Sequence, residues 1–379
     1  MKDKTKNKKF SSFLENPIDY TLLITILLLL ALGLIMVLSA SSPTSLSESG
    51  NSYKYFIKQA IFAGLGLGAM YFISKIDYRF YKRFYKIAYI LSIVLFILVL
   101  VIGKRINGAK RWIYLSDALS FQPSELVKFF MIIFYAAVLT KNRKELGKFL
   151  KGWGKHLAFL IPVIGLLLLQ PHFSASIVIV GICILMMIIA GCKPMQIVVP
   201  GVGIGIPALI ALIIYEPYRL TRVTTFLNPW QDELGDGWQV IQSLYAIGSG
   251  GIFGAGLGQS KQKYLYLPEP QNDFIFSVLA EELGFVGCVF VIVLFAILIW
   301  RGILIAMKAP DMFGSLVAIG ITALIGIQVM INIAVVTSSM PATGMPLPFF
   351  SYGGTALFII LCQMRSAFKY FKSSKQIKF

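Results

Sequence analysis

Apolar runs close to the length that crosses a bilayer recur along almost the whole chain, and nothing constrains its fold more. About 20 residues of helix are needed to span a hydrocarbon core of roughly 30 Å. Ten such runs are drawn, approximately Tyr20–Ala40, Tyr55–Ile73, Ile87–Ile102, Ser124–Leu139, Leu157–Leu169, Phe173–Ala190, Met195–Tyr215, Asp273–Trp300, Phe313–Thr337 and Phe349–Phe368. Only 14% of the 379 residues are charged and 57% are hydrophobic, whereas a soluble domain carries about a quarter charged residues. Backbone in lipid must satisfy its own hydrogen bonds, so the chain reads as an all-α polytopic membrane protein. The fifth and sixth runs are separated only by Gln170-Pro171-His172. A single broken helix there would invert every later connection.

Charge placement sets the orientation. With ten spans and both termini inside, 24 of the 35 Lys and Arg residues fall on the inner side, with six of the 17 acids. That is the positive-inside bias. The net charge of +18 is therefore a topology signal, and no nucleic-acid partner is implied. The Lys-rich start and first apolar run resemble a signal sequence, but the run is long and more spans follow, so a retained first helix is expected. Four cysteines without CxxC spacing and two histidines suggest neither a disulfide framework nor a His-based metal centre.

The expected organisation is a single integral domain over 1–379. Residues 1–19 and 369–379 form basic cytoplasmic tails, and 216–272 form a large structured outer loop between spans 7 and 8. A connection of that length is seldom passive. Trp238–Ala246 spaces its apolar residues like a short amphipathic helix lying on the membrane. The Gly-rich run Gly248–Gly258 lacks the Gly-Lys-Ser/Thr of a phosphate-binding loop. It reads as a flexible or re-entrant turn in which bulkier residues would clash.

Chemistry concentrates on the outer side. Lys104-Arg-Ile-Asn-Gly-Ala-Lys-Arg-Trp112 is basic against the positive-inside trend. Arg111 offers a planar fork for phosphate oxygens, and Trp112 a flat face for stacking or for anchoring at the interface. Gln122-Pro-Ser-Glu-Leu-Val-Lys128 opens the fourth span. Glu125 and Lys128 share a helix face, as a structural ion pair or as a polar wall for an anionic head group. Asp273 lies where the long loop meets span 8, either as a helix cap or as a carboxylate kept for function. Glu281 and Glu282 follow two turns deeper, placed to face a water-filled cavity or to pair with Lys128. The Pro- and Gly-rich segment Pro341–Gly354 cannot be regular helix and belongs beside a cavity. These irregular outer segments should converge over one polar, outward-open cavity.

Several motifs, in order along nearly the whole chain, resemble the SEDS family of FtsW, RodA and SpoVE, and look more like its FtsW/SpoVE branch. They are Gly108-Ala-Lys-Arg-Trp-Ile113, Phe121–Lys128, Gly237-Trp-Gln with Gln242-Ser-Leu, Ser249–Gly258, Leu267-Pro-Glu269 with Asn272–Phe276, Glu281-Glu-Leu-Gly284, and Pro341-Ala-Thr-Gly344 through Ser351-Tyr-Gly-Gly354. The resemblance implies a peptidoglycan glycosyltransferase in the bacterial cytoplasmic membrane, polymerising lipid II at the outer face with release of undecaprenyl pyrophosphate. It implies a class B penicillin-binding transpeptidase as partner, beside other division or sporulation proteins. It makes Asp273 the essential carboxylate, and Trp112, Glu125 and Lys128 cavity residues important for activity. Its motifs add Glu269 and Ser351 as substrate contacts. Gln170-Pro-His172 departs from it, since the family often carries Asp where this chain has His172. That histidine could donate hydrogen bonds or titrate near neutral pH.

The implied reaction inverts the anomeric centre, so one displacement with one general base suffices. Asp273 is that base, its ionised form favoured by the helix N-terminus and by nearby Lys or Arg. Arg111, Lys128, Lys263 or a divalent cation (Mg or Mn) would balance the leaving pyrophosphate; no metal-ligand set and no organic cofactor is expected. Two rival classes stay open: a lipid II flippase and a non-catalytic division or sporulation scaffold.

Overall fold

The computed structural model describes residues 19–106, 109–114, 120–215 and 217–368. The tails 1–18 and 369–379 lie outside the described residues, as does Gly108. The chain is mainly helix: α1 (Tyr20–Ser49), α2 (Lys54–Ile73), α3 (Tyr85–Ile102), α4 (Pro123–Lys141), α5 (Leu160–Leu169), α6 (Phe173–Ala190), α7 (Pro194–Pro200), α8 (Ile206–Tyr215), α9 (Pro217–Leu227), α10 (Trp238–Gly250), α11 (Ile275–Met307), α12 (Met312–Val336) and α13 (Gly354–Phe368). Among the described residues eight helices are long and apolar enough to cross a membrane. The seventh expected span is α7 and α8 joined by a π-helical turn, Gly201–Gly205, and the tenth is the shorter α13. α4 and α12 are the most enclosed, which makes them the centre of the bundle.

Side-chain ties sort the connections into two groups. At one end Arg301 pairs with Asp19 at 2.5 Å, Tyr78 donates to Asp311 at 2.8 Å and Gln196 donates to the Gly147 carbonyl at 2.9 Å. At the other, Ser351 donates to the Asn272 carbonyl at 2.7 Å and Thr355 to that of Ser120 at 3.0 Å. The groups match the two sides expected from charge. Gln196 follows α6 and Gly147 precedes α5, so their bond requires the chain to reverse at Gln170-Pro171-His172. Spans five and six are a hairpin, not one broken helix.

Two elements in the connections at this second end are not anticipated by the span pattern. Residues 104–121 contain a small antiparallel sheet of β1 (Lys104–Ile106), β2 (Ala109–Tyr114) and β3 (Ser120–Phe121), with Ile106 paired to Ala109. Asn107-Gly108, between those partners, is the commonest hairpin dipeptide and was the available signal. The 216–272 loop also holds a second helix, α9. Its companion α10 is a helix as expected, and one face of it packs against the bundle. Val240, Ile241, Ser243 and Ala246 are buried, and Ser243 meets Ser277 Oγ at 2.7 Å and donates to the Val336 carbonyl at 2.8 Å. That side of α10 is docked on α11 and α12.

The Gly-rich run has a structural purpose. Gly284 interrupts α11 with φ 67° and ψ −167°, which strands helical N–H and C=O groups in a setting where each must find a partner. Residues 251–256 supply them. Ala255 N donates to the Glu281 carbonyl (2.9 Å) and Gly256 N to that of Glu282 (3.0 Å), while Phe285 N and Val286 N donate to Gly251 and Ile252 (2.9 and 3.1 Å). The approach is so close that a Cβ on Gly254 would lie 2.2 Å from the Glu282 carbonyl oxygen.

Candidate active site

A cavity of about 590 Å³ opens at the end of the bundle that holds Ser120, Asn272 and Ser351, lined by β2, the N-terminus of α4, the 268–273 turn and the 344–357 segment. Of the residues singled out in the sequence, Asp273, Arg111, Trp112, Glu125, Lys128, Glu269 and Ser351 all line it. Lys263 does not. Its ammonium is buried against Glu282 at 2.8 Å and also donates to Ser39 Oγ and the Gly258 carbonyl at 3.0 and 2.7 Å. The expectation that Glu281 and Glu282 face a cavity or pair with Lys128 is likewise corrected. Glu282 accepts from Lys263 and Ser39, and Glu281 from Ser260 Oγ (2.5 Å) and Lys261 N (2.8 Å). The two carboxylates bolt the loop to α11.

Lys128 pairs with Glu125 at 2.7 Å, both nearly buried. The pair is one turn into α4, after Pro123 in the first helical turn, where the missing N–H costs nothing. Removing one partner would leave the other charge uncompensated. The motif is thus a buried ion pair whose two side chains also stand on the cavity wall.

Asp273 sits just before α11, whose N-cap is Phe274 with no side-chain capping bond. The helix-cap reading therefore does not hold, and the carboxylate is left to face the cavity. Its backbone is fixed instead. Asn332 Nδ2, from α12, donates to the Asp273 carbonyl at 2.7 Å and to the Met345 carbonyl at 2.8 Å. Ser351 Oγ accepts from Leu347 N and donates to the Asn272 carbonyl, both at 2.7 Å, and Tyr352 N donates to Gln271 O at 2.8 Å. The irregular 341–353 segment is thereby stitched to the turn that carries Asp273. Gly344, at φ 68°, lets the chain pass close: a Cβ there would lie 3.3 Å from Asp273 Oδ2.

The electrostatics differ from expectation. A helix end and basic neighbours were to hold Asp273 ionised. Instead burial, reinforced by Glu269, raises its pKa to about 6 against the pull of Arg222 and Arg111. His172, on the cavity wall with Nε2 3.5 Å from Gln122 Nε2, is pushed down to about 3 by burial and by Arg111 and Lys128. It is neutral at physiological pH and does not titrate there.

Residues not singled out in the sequence also line the cavity, among them Lys58, Arg222, Gln239 and Tyr352. Lys58 could have been found, since a lysine inside an apolar span is costly and marks function by default. Arg222 breaks the positive-inside trend as Arg111 does. It reaches the Ala342 carbonyl, and Arg111 that of Pro171. Four cationic side chains, Lys58, Arg111, Lys128 and Arg222, thus share the cavity with three carboxylates, Glu125, Glu269 and Asp273, and Lys128 is paired with Glu125. That arrangement can neutralise a polyanionic group beside a base. Among the described residues no group of three or more His, Cys, Asp and Glu is placed to hold a metal ion.

The family model described as cell cycle protein, covering FtsW, RodA and SpoVE, matches residues 20–366. The chain is 46% identical over 345 residues to "Stage V sporulation protein E" of Bacillus subtilis, covering 90% of this chain and 94% of that one. It is 43% identical over 346 residues to "Probable peptidoglycan glycosyltransferase FtsW" of Coxiella burnetii, covering 90% and 92%. Among solved structures it superposes on a chain from "Structural coordination of polymerization and crosslinking by a peptidoglycan synthase complex" with TM-score 0.78 at 29% identity, covering 95% and 99%. Thermus thermophilus RodA gives TM-score 0.68 at 28% identity, covering 93% and 96%.

Proposed function

The chain belongs to the FtsW/RodA/SpoVE family, and from that premise we propose that it is a peptidoglycan glycosyltransferase that polymerises lipid II at the outer face of the cytoplasmic membrane. The observation that carries the reading is Asp273, open to a cavity that also holds Lys58, Arg111, Lys128 and Arg222. A base and a cationic cradle are the two things a single displacement at a sugar–pyrophosphate bond demands.

In the proposed step the 4-hydroxyl oxygen of the acceptor sugar attacks the anomeric carbon of the donor. The bond from that carbon to the pyrophosphate oxygen breaks, the hydroxyl proton passes to the Asp273 carboxylate, and undecaprenyl pyrophosphate departs. A base with a pKa of about 6 is largely ionised at neutral pH and still basic enough to accept that proton. Arg111 and Arg222 would take the pyrophosphate oxygens through their planar guanidinium groups, and Lys128, anchored by Glu125, would supply a point charge. Trp112 would present its ring to a sugar face, with Glu269 and Ser351 as hydrogen-bonding wall residues. A divalent cation, Mg or Mn, fits only in part. Glu269 could share it with the phosphates, as such ions are commonly held, and it would add positive charge at the leaving group.

A class B penicillin-binding transpeptidase is the proposed partner, within a division or sporulation assembly. The test is polymerisation of purified lipid II by the full chain with that partner, comparing wild type with Asp273→Asn. Glycan from the wild type and none from the variant is expected. Undiminished glycan from the variant would remove Asp273 from the mechanism. Lipid II translocation in liposomes without any glycan product would replace the reading by a transporter.

A further inference from the structure

A second pocket, of about 260 Å³, abuts the Asp273 cavity, and the two share Pro268, Glu269, Asn272 and Tyr352 as a common wall. The wall is a constrained turn: Glu269 holds φ 46°, a conformation side chains seldom adopt. The chambers differ in chemistry. Four cationic side chains outnumber the three carboxylates of the first, Glu125, Glu269 and Asp273, whereas no Lys or Arg among the described residues lines the second, where the charges are Glu48 and Glu269. A phosphate group would be repelled from the second and has its counter-charges in the first.

The second pocket is built for a different ligand. Tyr55 and Tyr352 meet edge to face with ring centroids 4.7 Å apart, which fixes two aromatic surfaces. Tyr55 OH donates to Glu48 Oε2 at 2.6 Å, and Asn272 Nδ2 to Glu269 Oε2 at 2.7 Å. These bonds orient both carboxylates and leave each with acceptor capacity to spare. Fixed rings beside a surplus of acceptors suit a ligand with many O–H and N–H donors, apolar C–H faces and no phosphate. An uncharged saccharide has those properties.

Resting on the glycosyltransferase reading, we infer that the pocket lined by Glu48, Tyr55 and Tyr352 is a subsite for sugar residues of the glycan strand. The strand occupies it next to the reacting centre, while the pyrophosphate is confined to the cationic chamber. The shared wall ends one residue before Asp273, so the two chambers meet at the base. Occupancy of the second chamber retains the strand between additions, which makes strand length its readout.

Two variants touch only the second pocket, Tyr55→Ala and Glu48→Gln, and Glu48 is exposed, so its replacement threatens folding least. With purified full chain, partner and lipid II, both should shift products from long strands to short oligomers, changing the ratio of the two at least about fivefold. Ser47→Ala, an exposed change outside both cavities, should leave the ratio alone. Wild-type protein should also bind a tetramer of β-1,4-linked N-acetylglucosamine in ligand-observed NMR, and Tyr55→Ala should lose that signal. Unchanged strand lengths in both variants would overturn the inference. So would absence of saccharide binding by the wild type, or displacement of the saccharide by a lysine-bearing peptide. A wild type that makes no glycan at all would instead remove the underlying glycosyltransferase reading.

Discussion

Asn332 holds Asp273 by its backbone, donating Nδ2–H to the Asp273 carbonyl at 2.7 Å, and the same amide reaches the Met345 carbonyl at 2.8 Å. One buried side chain on α12 thereby sets the distance between the carboxylate turn and the Pro/Gly-rich segment facing it. Asn332→Leu should lower kcat by about 10- to 100-fold, since small misplacement of a reacting group is costly, with a smaller change in KM. Lipid II kinetics would check this, and an unchanged kcat in a folded variant would refute it.

The pKa of about 6 at Asp273 fixes a pH dependence. The base works ionised, so the rate should rise through pH 6 and level off above 7, and Asp273→Asn should show no residual limb there. The sign for stability is the reverse. Folding raises the pKa of this carboxyl, so its ionised form is penalised above pH 6 and the penalty fades as pH falls through that value. Asp273→Asn should therefore melt higher than wild type at pH 8, with the gain shrinking by pH 5. Thermal melts in detergent at both pH values test the pair of outcomes.

Lys128→Met leaves Glu125 buried and unpaired, and should cost about 3–5 kcal/mol of stability. The double replacement Glu125→Gln with Lys128→Met should recover most of that loss while remaining inactive. Recovery of activity along with stability would mean that Lys128 serves only the fold.

Gly254→Ala forces a Cβ against the Glu282 carbonyl oxygen at φ 80°, and Gly284→Ala forces one to 2.3 Å from Gly254 N at φ 67°. Each should destabilise by about 2 kcal/mol or more, through overpacking and left-handed strain together. Gly258, also at positive φ but with open space around it, provides the contrast. Gly258→Ala should cost only the conformational part, about 1 kcal/mol. Thermal midpoints of the three variants decide.

The helical architecture and the gathering of outer segments around Asp273 were legible, because span length, charge asymmetry and forbidden helix at Pro341–Gly354 are local properties of sequence. The partner of Lys263 was not. Nothing nearby announces that this lysine turns inward to Glu282 and Ser39 rather than toward a phosphate, since the choice is made by loop 254–263 closing on a broken helix. The raised pKa of Asp273 escaped for a related reason: basic neighbours can be counted from sequence, whereas the depth of burial and the approach of Glu269 belong to the folded turn. Asn107-Gly108 and Lys58 are a different case, being signals present in the residues that the span assignment overshadowed.

The break at Gly284 also bears on how the chain enters the membrane. It divides α11 into a stub, 275–283, which contains both Glu281 and Glu282, and a longer stretch, 285–307, apolar but for Arg301, which pairs with Asp19 toward its far end. That longer stretch, about 23 residues or roughly 35 Å of helix, is long enough to span alone. A translocation channel can thus release it to lipid without burying either glutamate in hydrocarbon. Residues 251–256, which complete the stub's hydrogen bonds, emerge from the ribosome before it. The partners of its carboxylates, Ser260, Lys261 and Lys263, likewise precede the turn in the chain, so each glutamate has a polar partner waiting when it folds.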